Sequence, residues 1–514
     1  MKKNLSESLD EYIDKKLYPM HMPGHKRRLK GNTLLTGSRT CEEKLASMAL
    51  YDLTEVKGTD DLHNPEGFIR ESVKRTEKLF GAASSRYLVN GSTCGILAAV
   101  LACCKRGDII IAGRNCHISV CHAIELGDLR VKWVEPEYDP DFEIFTYMDK
   151  MKLEKAIKDT KERIGALIIT SPTYEGYISD IGAIAGLCDK EGIPLIVDEA
   201  HGAHLRFTDR RHEAVENGAD IVIQSPHKTL SSLTQTALLH ISGKAIKSYP
   251  WIERKIDEKL SVLETSSPSY PLLASIDNCV DQLVKSGEEL SGKYRKMLDR
   301  TYDILKELKV FKAAGSMDEG PLIRDRGKIL INCKKSGING VELSEIMREK
   351  YGYETEYANA YDLLAMTSMW DDEEKVLGFA KGLLIEDKSL YEKNASKKKE
   401  RPLSQGIYSK GVIYDRDLLG SVMTIADAME SVFEEVSFEE LKRADKERLC
   451  AEYIYCYPPG IPFIVPGETV KADFIRYLEE AKKSGSRILK SRSKDNDSIS
   501  CIIDGGKPTS AKRI

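Results

Sequence analysis

The sequence predicts an α/β fold built on a seven-stranded, mostly parallel sheet, followed by two smaller α+β regions. Three observations predict it. Short apolar runs recur between residues 80 and 241, helical patterns separate them, and most runs are apolar on both faces. Strands covered by helices on both sides need such two-faced runs. Regular strand–helix alternation favours parallel order. The runs are RYLVN (86–90), DIIIA (108–112), VKWVE (131–135), ALIIT (166–170), IPLIVD (193–198), DIVIQ (220–224) and TALLHI (236–241).

The remaining segments read as follows. Residues 1–30 form an amphipathic segment with a turn at MHMPGHK, punctuated by Pro23 and Gly24. Beyond residue 285 the alternation loosens. Helices are expected over 286–308 and 341–351, with KILINC (328–333) as a strand. EKNASKKKERP (392–402) reads as a linker. A last block holds a helical pattern, TIADAMESVFEEV, and the Pro/Gly-rich run YCYPPGIPFIVPGE (455–468). The basic tail, 481–514, reads as a solvated end. The expected organisation is an arm (1–34), a large domain (35–285), a small α+β domain (286–391), the linker (392–402) and a C-terminal α+β domain (403–514).

Composition narrows the function. The chain has 514 residues, 41% apolar and 31% charged, which excludes a mostly disordered protein. Lys and Arg number 77 against 81 Asp and Glu, a formal net charge of −4. That balance argues against non-specific nucleic-acid binding, which needs a basic face. No stretch reaches the ~18 continuous apolar residues of a membrane span. The N-terminus, MKKNLSESLDEYID, lacks the apolar core of a secretory signal. The twelve cysteines contain no CxxC pair, so no zinc ribbon or thioredoxin-like site is indicated and no metal is expected. Buried thiols in a reducing cytoplasm fit best. Small molecules are left as the expected ligands.

Five strand ends carry polar motifs, and carboxyl ends of strands form the ligand crevice in open α/β sheets. After DIVIQ come Ser225, Pro226, His227 and Lys228. A desolvated lysine there forms a Schiff base with an aldehyde, and Ser225 and His227 offer donors to an anion. A surface lysine on a turn is the plain alternative. IPLIVDEAHGAHL ends its strand at Asp198, thirty residues before Lys228, about one crossover away. A carboxylate on a pyridine nitrogen together with a Schiff-base lysine is the pair that pyridoxal phosphate requires. His201 and His204 follow on the same turn. NGST places Ser92 and Thr93 at a helix N-terminus, suited to a phosphate or simply to capping. His117, in RNCH after DIIIA, is in position either to stack on a planar ring or to serve as a structural histidine. SPTYEG sets Thr173 and Tyr174 at the same rim.

Together these motifs make the chain resemble the bacterial ornithine/lysine/arginine decarboxylases, pyridoxal-phosphate enzymes of the aspartate-aminotransferase-like fold (fold type I). The resemblance covers nearly the whole chain. It rests on MHMPGHK (20–26), TEVKGTDDLHNPEG (54–67), NGST, RNCH, SPTYEG, DEAHGAH (198–204), SPHKTL with TQTALLH (225–240), LETSSPSYPLLASID (263–277) and YPPGIPFIVPGE (457–468). It implies that Lys228 is the Schiff-base lysine, that Asp198 binds the pyridine nitrogen, that His117 stacks on the ring and that His201 lies near it. Ser92, Thr93, Ser225 and His227 would hold the phosphate. Thr265, in TSSPS, would reach the phosphate of a neighbouring subunit, since sites of this fold lie at a dimer interface. Ile118 stands where many relatives carry a basic residue. The PGHK motif lies close to the start, so the receiver-like domain of larger members is not expected. A homodimer or dimer of dimers is expected instead of a decamer.

The implied reaction is decarboxylation of a basic amino acid. Glu468, Asp60 and Asp61 are the candidate acids for the substrate's distal cation, each with a structural alternative as a turn or capping residue. Arginine is favoured, with polyamine synthesis as the setting; lysine and ornithine follow. An aminotransferase or carbon–carbon lyase on the same fold remains open, as does a non-catalytic regulator. No late carboxylate-binding arginine motif of an aminotransferase is visible in the sequence.

Overall fold

The computed structural model describes residues 16–20, 60–315, 323–397, 423–443, 447–458, 460–483 and 487–503. Most of the N-terminal arm, MHMPGHK beyond Met20, residues 54–59, Cys41, Pro459 and the tail beyond 503 lie outside them.

All seven expected strands form, with ends moved by one or two residues. They are β1 (Ser84–Leu88), β2 (Ile109–Gly113), β3 (Arg130–Val134), β4 (Ile164–Thr170), β5 (Leu195–Glu199), β6 (Ile221–Gln224) and β7 (Ala237–Ile241). They make one sheet in the order β1-β7-β6-β5-β4-β2-β3. β2 is parallel to β3 and β4. β7 is antiparallel to β1 and β6. Every residue of β2, β5, β6 and β7 is buried, as two-faced apolar runs require. β3 closes one side and exposes Arg130 and Lys132 in alternation, the charged pattern that protects an edge strand.

Helices α1 (Phe68–Phe80), α2 (Gly91–Cys103), α3 (Ile118–Leu126) and α4 (Ile181–Glu191) alternate with these strands. Later come α5 (Tyr270–Leu305), α6 (Gly340–Tyr351), α7 (Glu373–Lys397) and α8 (Ala472–Lys483). A four-stranded sheet of β8 (Lys312–Ala313), β9 (Lys328–Asn332), β10 (Tyr357–Ala358) and β11 (Asp362–Met366) runs in the order β8-β9-β11-β10. The C-terminal region adds β12 (Phe433–Ser437), β13 (Ile454–Cys456), β14 (Ile461–Ile464), β15 (Ile488–Lys490) and β16 (Ser498–Ile502).

The chain divides into two compact units, Met1–Gly95 with Asp198–Leu403 and Ile96–Val197 with Ser404–Ile514. In the first, α5 packs on α7, and a core of Phe80, Tyr87, Leu298, Tyr302, Ile329 and Phe379 joins helices to strands. In the second, Ile454, Ile475, Leu478 and Ile499 center a core between α8 and the C-terminal strands.

Three segments differ from expectation. The helix expected over 286–308 begins at Tyr270, because Pro271 sits in the first turn, where no hydrogen bond needs its missing N–H. α7 runs through Lys397, into the segment read as a linker. TIADAMESVFEEV is a six-residue helix, Ile425–Glu430, capped by Thr424, and then β12. β12 pairs antiparallel with β16, so a distant partner overrides the local helical pattern there.

Candidate active site

β6 ends at Gln224, and Ser225 opens a short helix, Pro226–Thr229. That turn carries Lys228, half-buried. Asp198 is the penultimate residue of the neighbouring strand β5 and is 2% exposed. Its Oδ1 accepts the Ala200 N–H at 3.2 Å. Burial pushes the Asp198 carboxyl up, opposed by the Lys228 charge and the Ala200 N–H. Burial draws the Lys228 amine down, opposed by Asp198 and Glu356. Desolvation thus moves both groups toward their neutral forms.

His201 lies between two lysines. Its Nε2 is 3.0 Å from Lys228 Nζ and its Nδ1 is 2.6 Å from Lys328 Nζ. Lys328 opens β9 and is 1% exposed. Beside it, Asp325 pairs with His204 Nε2 at 3.1 Å and accepts the Gly327 N–H at 2.8 Å. Burial raises Asp325, but His204 and then Lys328 outweigh it and hold the carboxyl down to about 2.

The residues expected to hold a phosphate converge in part. Gly91 has φ +77° and donates its N–H to Gln235 O at 2.8 Å, a turn that glycine enters without strain. That turn sets Ser92 and Thr93 at the start of α2, and Ser92 Oγ hydrogen-bonds Ser225 Oγ. Thr93 is exposed. His227 Nδ1 is 2.6 Å from the Thr236 carbonyl, which only accepts, so Nδ1 carries the proton. The buried Thr229 hydroxyl has no hydrogen-bond partner among the described residues. Thr265 lies on a turn where its hydroxyl accepts the Ser267 N–H at 3.2 Å and its carbonyl accepts from His63 Nε2 at 2.9 Å. Beside it, Glu264 accepts the Val89 N–H at 2.7 Å, and burial pushes its carboxyl up to about 7.

In the second unit, His117 caps α3, with Nδ1 2.8 Å from Ser119 Oγ. The YPPGIP run lies against it: Ile118 N–H donates to Gly460 O at 2.9 Å. A Cβ on Gly460, whose φ is +93°, would meet the His117 ring at 3.0 Å. Thr173 accepts the Tyr177 N–H at 3.1 Å, and Tyr174 is buried.

The three candidate acids have other partners. Glu468 forms a 3.1 Å ion pair with Arg114, and the same oxygen accepts the Val465 N–H at 2.9 Å. Arg114 also donates to the carbonyls of Pro462 and Phe463, at 2.8 and 3.0 Å. Asp60 accepts the N–H groups of Glu66, Gly67 and Ile69 at 2.8 to 3.0 Å, at the start of α1. Burial raises its carboxyl, and the backbone donors more than reverse this. Asp61 is exposed and accepts the His63 N–H at 2.8 Å. Glu468 and Asp60 thus meet local structural needs. Sequence reasoning missed Lys328, Asp325 and Arg114. A lysine opening an apolar strand was the available signal for Lys328.

The donor set fits a phosphorylated pyridine aldehyde: converging hydroxyls beside a helix N-terminus, a recessed amine and a buried acid at the end of the adjacent strand. Comparison with known proteins agrees. The family described as "Orn/Lys/Arg decarboxylase, major domain" matches residues 4–325, and "Orn/Lys/Arg decarboxylase, C-terminal domain" matches residues 412–488. The uncharacterized protein YaaO of Bacillus subtilis is 31% identical over 481 residues, covering 92% of this chain and 93% of its own. An arginine decarboxylase of Bacillus anthracis is 29% identical over 486 residues, covering 94% and 93%. The structure of a Francisella novicida lysine decarboxylase superposes with a TM-score of 0.72 at 18% identity, over 98% of this chain and 84% of that one. The matched profile spans well over half of the sequence, and the chain belongs to the Orn/Lys/Arg decarboxylase family.

Proposed function

We propose that the protein is a pyridoxal-phosphate-dependent decarboxylase that converts arginine to agmatine and carbon dioxide, in the cytoplasm and in the service of polyamine synthesis. The observation that carries this is the placement of Lys228, recessed and next to His201, on the turn that follows β6, beside the strand whose last residues are Asp198 and Glu199. Arginine is preferred over lysine because a relative matching nearly the full length bears the name arginine decarboxylase.

When bound, the cofactor supplies an aldehyde that exchanges amines and a ring that accepts the electron pair left by departing carbon dioxide. Ser92, Ser225 and Thr93 would hold its phosphate through their hydroxyls. Asp198 would keep a proton on the ring nitrogen, and such a cationic partner would offset the burial that raises its carboxyl. His117, hydrogen-bonded to Ser119, would supply a flat ring for stacking. Lys228 would supply the resident amine, and Lys228 or a nearby histidine the proton that takes the place of the lost carboxylate at Cα. Thr265 would serve the phosphate of a partner subunit in a homodimer or dimer of dimers. The working organisation remains the arm, large, small and C-terminal domains set out above. Among the described residues no helix is long and apolar enough to cross a membrane.

The test is an assay of the purified protein with pyridoxal phosphate against arginine, lysine and ornithine. Agmatine and carbon dioxide in equal amounts, without keto acid, is the expected result. Cadaverine or putrescine as the dominant product would overturn the substrate, and keto acid would overturn the reaction class.

A further inference from the structure

The buried lysine of the small sheet has no part in the reading above, yet it touches the histidine that touches Lys228. Lys328 Nζ lies 2.6 Å from His201 Nδ1, and His201 Nε2 lies 3.0 Å from Lys228 Nζ. An imidazole between two amines can be polarised in two directions. Either Lys328 donates to Nδ1 and Nε2–H donates to Lys228, or the reverse.

The surrounding charges choose between them. Facing Lys328 is Asp325, which also pairs with His204 at 3.1 Å and keeps its negative charge to about pH 2. A stable anion there keeps the proton on Lys328. Met366 Sδ, 3.4 Å from Lys328 Nζ, is a weak acceptor and does not compete for that role. Facing Lys228 are Asp198 and, electrostatically, Glu356. Asp198 is the acid whose charge burial disfavours. An ammonium on Lys328 has only hydrogens to offer, so Nδ1 must be its acceptor. A neutral His201 then carries its hydrogen on Nε2 and points it at Lys228, which must present a lone pair.

We propose that Lys328 is a positioning residue that fixes the Nε2–H tautomer of His201 and thereby holds Lys228 as a neutral, nucleophilic amine before the cofactor binds. The direction runs from Lys328 through His201 to Lys228. The lysine of the small sheet thus prepares a group on the main sheet. The inference rests on the reading of Lys228 as the amine that takes up pyridoxal phosphate.

Competitive acetylation tests it without requiring turnover. The full-length chain, free of cofactor, is pulsed with acetic anhydride from pH 6 to 11, and Lys228 modification is read by site-resolved mass spectrometry. In Lys328→Met the cation is gone and His201 can turn its lone pair to Lys228. The labelling midpoint of Lys228 should then rise by about one pH unit, a roughly tenfold loss of neutral amine near neutrality. Lys328→Arg, which keeps a cationic donor, should restore the wild-type midpoint. His201→Phe removes the relayed donor while keeping Lys328, and should also raise it. This second variant decides the matter if Lys328→Met does not fold. An unchanged or lowered midpoint in the folded variants overturns the proposal. Raised midpoints in a protein that releases no amine would leave the relay standing and remove the decarboxylase. Amine release with unchanged midpoints would do the opposite.

Discussion

Each of the two units buries a cation beside acids, and the two arrangements behave differently. In the first, Lys228, His201, Lys328, His204 and Asp325 form a cluster of groups that can exchange protons. In the second, Arg114 holds Glu468 and two backbone carbonyls, with Trp133 against the guanidinium at 5.3 Å. Arginine does not lose its proton in a protein, so this pair cannot move one. Its geometry ties the strand-end motif RNCH to the run after YPPGIP. The identity of the buried cation therefore separates a cluster that handles protons from one that holds a shape.

The largest effect expected from breaking this distinction is at Lys228. Lys228→Ala should lower kcat by on the order of 10^4-fold or more, with loss of the yellow, borohydride-reducible chromophore. Retained turnover in that variant would place the chemistry elsewhere. No comparable kinetic loss is expected from Glu468→Gln, because its carboxylate serves Arg114 and Val465. The rigid cluster should be felt in stability. Arg114→Met leaves Glu468 buried without its counter-charge and should cost about 3–5 kcal/mol. Chemical denaturation measures it, and Arg114→Met with Glu468→Gln should recover much of the loss. A double variant as unstable as the single one would show that the guanidinium's carbonyl contacts, not the ion pair, carry the effect.

A third prediction concerns an acid in the first unit that has no fixed cation. Burial raises Glu264 to about 7, against an ordinary 4.5. Below about pH 4.5 it is neutral in folded and unfolded chains alike and does not affect their balance. Between 4.5 and 7 the unfolded chain ionises first, so folding stability falls as pH rises, and above 7 the loss is complete. The shift corresponds to roughly 3 kcal/mol. Glu264→Gln keeps an acceptor for the Val89 N–H and removes this dependence. Its melting temperature should exceed that of the wild type at pH 8 and match it near pH 4. Equal melting curves at both pH values would show that Glu264 ionises normally.

The same contrast explains what could be read in the sequence. The strands were legible because a strand buried on both faces must be apolar at consecutive positions, and five of seven runs are almost wholly so. Lys228 and Asp198 were legible as candidates because Asp198 closes such a run and Lys228 lies on the turn just after one. The partners that decide their protonation were not. Lys328 comes 127 positions after His201 and Arg114 lies 354 before Glu468, so no local pattern joins them. Glu468 and Asp60 looked available for a substrate because an acid's sequence neighbours do not reveal its cation or its donors. The strand Phe433–Ser437 was hidden for the same reason, since its partner Ser498–Ile502 comes some sixty residues later.

The smallest expected effect is at Gly460, and it tests whether the C-terminal run has any hold on the His117 ring. The residue has φ +93° and its carbonyl accepts the Ile118 N–H, so it grips the residue next to His117. A methyl group added there would meet the His117 ring at 3.0 Å, too close without movement. Gly460→Ala combines a positive φ with that contact and should cost about 1–3 kcal/mol in stability. If the C-terminal run merely packs, cofactor binding should be unchanged once the folded fraction is corrected for. If it sets the stacking ring, the apparent affinity for pyridoxal phosphate should fall several-fold, and the bound chromophore should shift in wavelength while kcat at saturating cofactor changes little. A small stability loss without any spectral change would confine the YPPGIP motif to scaffolding.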